Sequence, residues 1–450
     1  MAAASLWSQS KARALHSGRT MKSPMETIDA YLTRKHQELQ LLNACLRRPH
    51  AVPAPRSVSE VVRHKFQLAA ALKAEHVLTD WSATETAWAD TDDHHAGPFA
   101  FSYDYQRADL DVRGPSFYAL QQSSESTIYT ISGMAAVAAL LLATRPVLGE
   151  ADLMMLPGSY GETQELIDAH ARHLRSATLP DDLADTLARR SSGPRLLLLD
   201  SSATAARFEA VLRCARPAID LLIFDTTCFA NGSGRIRRVL AWARRCNVPV
   251  AMLRSHTKLD SLGAEYGRLG SVVFVDWTTI APGRVALQAL TGETRHAVRL
   301  LGGAALPAHF PPYVGMAPYR DLTNRRVAAI LRNSRRARRK FARTLRGLTA
   351  ELDFAHGLYV TLDSDVPLDE ASARSAAAAM SEDLRRAGLP IRHAGSFGFD
   401  FAATEWFHDA TTDRYSVRVA VPDLPGALWD ELTDGIATWW SMHQGRSAAA

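Results

Sequence analysis

The sequence segment RSHTKLDSLG begins at Arg254 and follows an apolar run that is predicted to be a buried strand. It places Lys258 one residue after Thr257 and three residues after Ser255. A lysine in a polar loop is usually a solvated surface residue. The alternative is an amine that forms a Schiff base, with two neighbouring hydroxyls available to a phosphate group. The segment alone is compatible with both interpretations, so other residues of the chain must decide between them.

Three further positions offer chemistry that would complement such a lysine. Asp225 comes directly after an apolar run, and a buried carboxylate at a strand end is costly unless a cation meets it. The small-residue turn at Ser132, Gly133 and Met134 opens a predicted helix, whose N–H groups and dipole favour an anion. Tyr160 follows another predicted strand and offers an aromatic face. Each also has an ordinary structural interpretation, such as a turn cap for the aspartate and a packed ring for the tyrosine.

Alternating strands and helices in the middle of the chain must position these residues. Predicted strands lie at residues 152–156, 195–199, 219–224, 248–253 and 271–275. Helices separate the first four, with examples predicted at 161–175 and 234–245. This alternation predicts a mostly parallel sheet that is covered on both faces. Ligands of such sheets bind at the carboxyl ends of the strands, and Asp225 and Lys258 both follow strands there.

A different pattern begins after a long helix predicted at 319–352. The segments GLYVTLD and RYSVRVAV alternate with period two on either side of a helix predicted at 368–387. This pattern predicts a smaller α+β domain at the C-terminus. We therefore divide the chain into an N-terminal extension and interface segment (1–115), a large cofactor-binding domain (116–320) and a small domain (321–450).

The amino-acid composition limits the classes of protein to which the chain can belong. With 450 residues and 47% hydrophobic side chains, the chain can bury two or three structural units. No apolar run approaches the ~18–20 residues that span a bilayer, so we expect no membrane partner. The four cysteines show no CxxC pair or zinc-ligand spacing, which predicts a reduced, cytoplasmic protein without a metal site. The basic residues are concentrated at 332–346, which predicts the solvated face of an amphipathic helix rather than a nucleic-acid surface.

The order of the motifs suits pyridoxal phosphate as a cofactor. The helix start would bind the phosphate, Tyr160 would stack on the ring, Asp225 would keep the ring nitrogen protonated, and Lys258 would form the Schiff base. The same segments resemble the pyridoxal-phosphate enzymes of cysteine and methionine metabolism, which include cystathionine gamma-synthase, cystathionine gamma-lyase and methionine gamma-lyase. The resemblance covers residues 100–425 and implies a fold-type-I enzyme that is a homodimer or a tetramer.

The resemblance assigns roles to individual residues. Ser132, Gly133 and Met134 resemble the phosphate-binding turn of that family. Tyr105 and Arg107 resemble its Tyr-x-Arg motif, which reaches the phosphate bound by the neighbouring subunit.

Further matches lie near the strand ends and in the C-terminal part of the chain. Ser255, Thr257 and Lys258 match the family's Ser-x-Thr-Lys signature, which implies that Lys258 is the Schiff-base lysine. Ser396 begins a segment that resembles Ser-Leu-Gly. Arg418 falls where the family places the arginine that binds the substrate α-carboxylate, a task that suits a guanidinium fork.

The sequence also departs from the family at three places. Ala-Asp-Leu follows Arg107 where the family has Asn-Pro-Thr. The segment DSSATA, which begins at Asp200, replaces Glu-Thr-Pro-x-Asn-Pro, so that the family's contact from asparagine to the ring hydroxyl is lost or moved. After Lys258 the usual Gly-His-x-Asp is absent.

We therefore predict a divergent pyridoxal-phosphate enzyme of secondary metabolism. Its predicted reaction on an L-amino acid is β- or γ-elimination, or γ-replacement with a second nucleophilic co-substrate. An aminotransferase and a non-catalytic binding protein on a degenerate fold remain the alternatives.

Overall fold

The computed structural model describes residues 26–80, 94–102, 111–118, 125–180, 182–200, 202–203, 205–277, 285–345, 357–364, 366–409 and 413–443. The helices are α1 (Ile28–Ala44), α2 (Val58–Asp80), α3 (Gly133–Leu148), α4 (Gly161–His170), α5 (Leu183–Ala188), α6 (Ala205–Arg213), α7 (Gly234–Arg245), α8 (Leu287–Leu301), α9 (Ala317–Thr344), α10 (Glu370–Arg386) and α11 (Gly426–His443). The strands are β1 (His94–Ala96), β2 (Phe99–Ser102), β3 (Asp111–Arg113), β4 (Glu125–Thr130), β5 (Ala151–Met155), β6 (Leu174–Thr178), β7 (Arg195–Leu199), β8 (Leu221–Asp225), β9 (Val250–Ser255), β10 (Gly270–Val275), β11 (Tyr359–Leu362), β12 (Ile391–His393), β13 (Ala402–Asp409) and β14 (Arg414–Ala420).

A seven-stranded sheet in the order β4-β10-β9-β8-β7-β5-β6 forms the centre of the large domain. The four neighbouring pairs from β9 to β6 are parallel, and the two pairs that involve β10 are antiparallel. Successive side chains of a strand point to opposite faces. Accordingly, Leu197 and Leu199 of β7 belong to one core with α6 and α7, whereas Leu196 and Leu198 belong to another with α3 and α8. The sheet is therefore covered on both faces.

The small domain contains a four-stranded sheet in the order β11-β14-β13-β12. The long strands β13 and β14 run antiparallel, in a register that places Glu405 directly opposite Arg418. Helices α10 and α11 pack on this sheet through a core that includes Met380, Trp429 and Trp440. The predicted fold class, a mostly parallel sheet with a smaller α+β domain at the C-terminus, is confirmed.

One predicted helix is wrong at its end. The helix predicted at 161–175 stops at His170, and Leu174–Thr178 forms the edge strand β6 instead. Only the first residue of β6 is buried, and the other four are exposed. An edge strand of this kind carries no apolar alternation, so the pattern-based prediction extended the preceding helix across it.

The N-terminal helices are joined to the rest of the chain by a set of buried charges, here called the buried charge network. Its members are Arg34, Lys35 and Glu38 of α1, Lys65 of α2, Arg326 of α9, and Asp400 and Asp423 of the small domain.

The network is centred on Asp400. Lys35 Nζ and Arg326 lie 2.5 Å from its Oδ1, and Lys65 Nζ lies 2.5 Å from its Oδ2. Burial by itself would raise the pKa of Asp400, but the three cations, Arg326 first, hold it well below its usual range. Charges without water are stable only when paired in this way. Helices α1 and α2 are therefore fixed to both α9 and the small domain.

Within the described ranges, no helix is both long enough and apolar enough to cross a lipid bilayer.

Candidate functional site

Lys258 lies just beyond the carboxyl end of β9, at the start of the short 3-10 turn Leu259–Ser261. Its Nζ donates a hydrogen bond to Ser396 Oγ at 2.6 Å and lies 5.7 Å from the centre of the Phe397 ring. The large and small domains thus meet at this amine. The structure brings together Lys258 and Ser396, which the sequence had assigned to the same site from positions 138 residues apart.

The segment after Ser396 lies against the backbone of Lys258. Gly398 has a φ of +89°, and a Cβ added there would come within 3.1 Å of the Lys258 carbonyl oxygen. Arg326 donates to the Gly398 carbonyl at 2.6 Å while it is also paired with Asp400. The buried charge network therefore supports the segment that supplies Ser396.

A second buried cluster of polar side chains, Arg254, His256, Asp260 and Ser271, packs against the turn that carries Lys258. The Arg254 fork donates to both oxygens of Asp260, each at 2.7 Å, and His256 lies between Asp260 and Ser271 at 2.8 Å from each. Burial would raise the pKa of Asp260, but Arg254 lowers it to about 2. The Ser271–His256–Asp260 order resembles that of a hydrolase. However, all three are at least 99% buried, so they are structural.

The start of α3 and the end of β9 form one small polar surface. Ser132 caps α3, and its Oγ accepts a hydrogen bond from Ala135 N at 3.0 Å. A Cβ added at Gly133 would lie 2.8 Å from Ser255 Cβ, so the two segments touch. Ser255 Oγ and Thr257 Oγ1 lie 3.0 Å apart beside them. Helix N–H groups and two hydroxyls in one place suit an anion such as phosphate.

Met134 is the second residue of α3, and its side chain packs against the core under the sheet. Its predicted contribution to cofactor binding can therefore come only from the backbone N–H, which is one of the unpaired donors of the first helical turn.

Two carboxylates lie at neighbouring strand ends. Asp225 ends β8, and Asp200 directly follows the adjacent strand β7. Asp200 Oδ2 accepts from Tyr160 N at 2.8 Å, and its Oδ1 accepts from Ser202 N at 2.6 Å. Thr227 N donates to Asp225 Oδ1 at 2.7 Å. We call Asp225 and Asp200 the acid pair.

The acid pair carries more negative charge than its surroundings balance. Asp200 is 98% buried, and Asp225 keeps some accessible surface although it lies deep among protein atoms. Burial, and then the charge of Asp200, raise the pKa of Asp225 to about 7. Burial also raises the pKa of Asp200. No described residue forms an ion pair with either carboxylate. A cationic group bound here would therefore be stabilised.

Arg418 is held in the small-domain sheet beside this region. Its guanidinium lies 2.9 Å from Glu405 Oε1, 3.9 Å from the centre of the Phe407 ring and 4.7 Å from that of Tyr359. The Tyr359 ring contacts Phe397 at 5.6 Å between centroids, and Phe397 in turn contacts Lys258. A continuous row of side chains thus connects the predicted substrate-binding arginine to the predicted Schiff-base lysine.

Tyr160 immediately precedes α4, and its ring lies near the Arg418 pair. Burial, and then Glu162, raise the pKa of its phenol, and Glu405 acts in the same direction while Arg418 opposes it. The phenol therefore remains protonated at neutral pH and can donate a hydrogen bond. Stacking of this ring on a cofactor remains a prediction.

The predicted pair Tyr105 and Arg107 lies outside the described residues. In the part of the chain that the structure describes, no cluster of three or more His, Cys, Asp or Glu residues is arranged for a metal ion.

Two residues of the site were missed by the sequence analysis. Asp200 gave the same signal that identified Asp225, because it is an acid that directly follows a predicted core strand. Glu405 gave no signal, since its pairing with Arg418 depends on the register of β13 and β14, which the alternating pattern does not fix.

No protein-family model and no curated protein sequence matches the chain. Solved structures that are similar include cystathionine gamma synthase from Xanthomonas oryzae pv. oryzae in complex with aminoacrylate and cysteine, at 19% identity and a TM-score of 0.46, over 70% of this chain and 82% of that one. Another is CalE6, a methionine gamma lyase from Micromonospora echinospora, at 15% identity and a TM-score of 0.46, over 70% of this chain and 80% of that one.

Proposed function

We propose that the chain is a pyridoxal-phosphate-dependent enzyme that acts on an L-amino acid with a leaving group on its side chain, by β- or γ-elimination or by replacement. One observation carries this proposal: the amine of Lys258 and the acid pair occupy neighbouring strand ends of the same sheet. No described residue forms an ion pair with the acid pair, and a protonated pyridine nitrogen would supply a positive charge there.

The residues present fit this cofactor. The surface formed by Ser132, Gly133, Ser255 and Thr257 offers N–H groups and hydroxyls to a phosphate, and Gly133 is needed for the close contact between the two segments. Lys258 would hold the aldehyde carbon, and Asp225 the ring nitrogen. When bound, pyridoxal phosphate supplies an electron sink for negative charge at the substrate Cα.

The side chains of this chain would then share the remaining work. The amine of Lys258, oriented by its hydrogen bond to Ser396, can take a proton from the substrate Cα and return it. Tyr160 remains a protonated donor near Glu405 and Arg418. The fork of Arg418 can bind a carboxylate through two hydrogen bonds. For a replacement reaction, a second nucleophile would enter after the leaving group departs.

The first experiment asks whether Lys258 carries the cofactor. Reduction of the protein with borohydride after addition of pyridoxal phosphate, followed by peptide mapping, should label Lys258 alone. The variant Lys258→Ala should lose both the label and the yellow colour, whereas Lys73→Ala on α2 should keep them. A label on another lysine, or none in the wild-type protein, contradicts the proposal.

A product assay separates the reaction classes. Elimination from an amino acid releases a 2-oxo acid together with ammonia and the side-chain leaving group. Transamination releases the oxo acid without ammonia and leaves the cofactor in its amine form. Ammonia in equal amount to the oxo acid supports elimination, oxo acid without ammonia supports an aminotransferase, and release of the leaving group with neither product supports replacement.

We also propose a cytoplasmic homodimer or tetramer whose sites are completed across the subunit interface by Tyr105 and Arg107. No disulfide joins Cys45, Cys214, Cys228 and Cys246, which suits a reducing compartment. Mixing inactive Lys258→Ala chains with inactive Arg107→Ala chains should restore partial activity, because a mixed dimer contains one site with both residues. Failure to complement despite demonstrated subunit exchange contradicts the shared site.

A further inference from the structure

The arginine that the proposed function assigns to the substrate carboxylate already has a carboxylate partner. Glu405 and Arg418 face each other across β13 and β14, with 2.9 Å between Glu405 Oε1 and the guanidinium. Their side chains are 13% and 9% exposed. Because both sit on paired strands, the contact is set by the sheet register rather than by a mobile loop.

The surroundings of Glu405 place it within the proposed site. Its charge raises the pKa of Tyr160 and, after burial, that of Tyr359. A Cβ added at Gly395, next to Ser396, would lie 3.3 Å from Glu405 Oε2. Glu405 is therefore close to the residues that surround Lys258 as well as to Arg418.

The charge balance changes when an amino acid binds here. The substrate carboxylate must either share the guanidinium with Glu405 or displace it. Sharing brings two anions to one cation, and displacement leaves a largely buried glutamate without its ion-pair partner. In either case this cost offsets part of the attraction between Arg418 and the substrate carboxylate. A primary amine of the same carbon skeleton avoids this penalty because it has no carboxylate.

We propose that Glu405 is a specificity-determining residue that competes with the substrate carboxylate for Arg418, and thereby weakens the preference of the site for α-amino acids over amines. This inference rests on the proposed function, since it takes the pocket beside Lys258 as the substrate site. It assigns the site a substrate class broader than α-amino acids.

The test uses two probes that have no side-chain leaving group and that differ only in the carboxylate: L-norleucine and n-pentylamine. Their dissociation constants are measured by calorimetry on the full chain loaded with pyridoxal phosphate and, separately, on the same protein without it. The variants are Glu405→Gln and, as a matched control, Glu162→Gln, which removes an exposed carboxylate near Tyr160. Thermal unfolding of each variant checks that the fold is retained.

The expected result is that Glu405→Gln binds L-norleucine about tenfold more tightly, as the removal of one competing anion from Arg418 implies. Binding of n-pentylamine should stay unchanged, and Glu162→Gln should change neither. Unaltered or weaker binding of L-norleucine by Glu405→Gln overturns the inference, as does equal tightening for both probes. A protein that takes up no pyridoxal phosphate contradicts the proposed function instead, and the calorimetry without cofactor still decides the role of Glu405.

Discussion

Replacing Asp200 by asparagine should change how the stability of the cofactor-free protein depends on pH. Asp225 has a pKa of about 7, against an ordinary value of 3.8, because it is buried and because Asp200 is close. Asp200→Asn removes the neighbouring charge but keeps the size of the side chain. The pKa of Asp225 should then fall towards its ordinary value.

The sign and size of this pH dependence follow from the linkage between proton binding and folding. Between pH 4 and 7 the unfolded chain has released the Asp225 proton while the folded chain still holds it, so stability falls as pH rises. A shift of about three units at about 1.4 kcal/mol each makes the total loss about 4 kcal/mol. A neighbouring charge typically shifts a pKa by about 1–3 units. The loss should therefore shrink by at least about 1 kcal/mol in the variant.

The assay is urea unfolding of cofactor-free protein at pH 5 and at pH 8. Asparagine has one carbonyl oxygen, so it can accept from only one of the two N–H groups that Asp200 now satisfies. We therefore expect Asp200→Asn to be less stable than wild type at pH 5, with a smaller difference at pH 8. Asp168→Asn, at an exposed position on α4, serves as control. An unchanged difference between the two pH values would refute the coupling within the acid pair.

Three further variants test the site and its supports. Ser396→Ala removes the hydrogen-bond acceptor of Lys258 and should lower kcat about tenfold with a shifted pH profile; an unchanged profile argues against orientation by this hydroxyl. Gly133→Ala places a Cβ against the end of β9 and should weaken pyridoxal-phosphate binding by about tenfold or more in a spectroscopic titration; wild-type affinity contradicts the phosphate surface. Asp400→Asn should lower the free energy of unfolding in urea by about 3–5 kcal/mol because it breaks a buried ionic contact. A loss as small as that of Glu370→Gln, which breaks an exposed pair with Arg374, would contradict the role of the buried charge network.

The central sheet could be predicted because its strands are continuous apolar runs. The prediction for β7, 195–199, matches the observed strand residue for residue, and β8, β9 and β10 are each displaced by one or two residues. The strand ends then located Asp225 and Lys258. Edge strand β6 was not predicted because a strand with one buried residue has no pattern that distinguishes it from the end of a helix.

Pairings between distant residues could not be predicted. The acid at 200 and the glutamate at 405 are visible in the sequence, but their partners depend on strand order and on register. The same applies to the buried charge network, because Lys35 and Lys65 look like ordinary surface residues of helices. The domain boundaries and the role of Tyr105 and Arg107 stay predictions.

The buried charge network has a consequence for synthesis of the chain on the ribosome. Lys35 and Asp400 are separated by 365 residues, so α1 emerges roughly 20–70 s before its partner at ordinary elongation rates. During that interval the cations of α1 and α2 lack the aspartates that they are buried with in the finished molecule. The charges of these helices are fully paired only after Asp423 has been made, and a nascent chain that stops short of Asp423 leaves Arg34 and Lys35 without that partner.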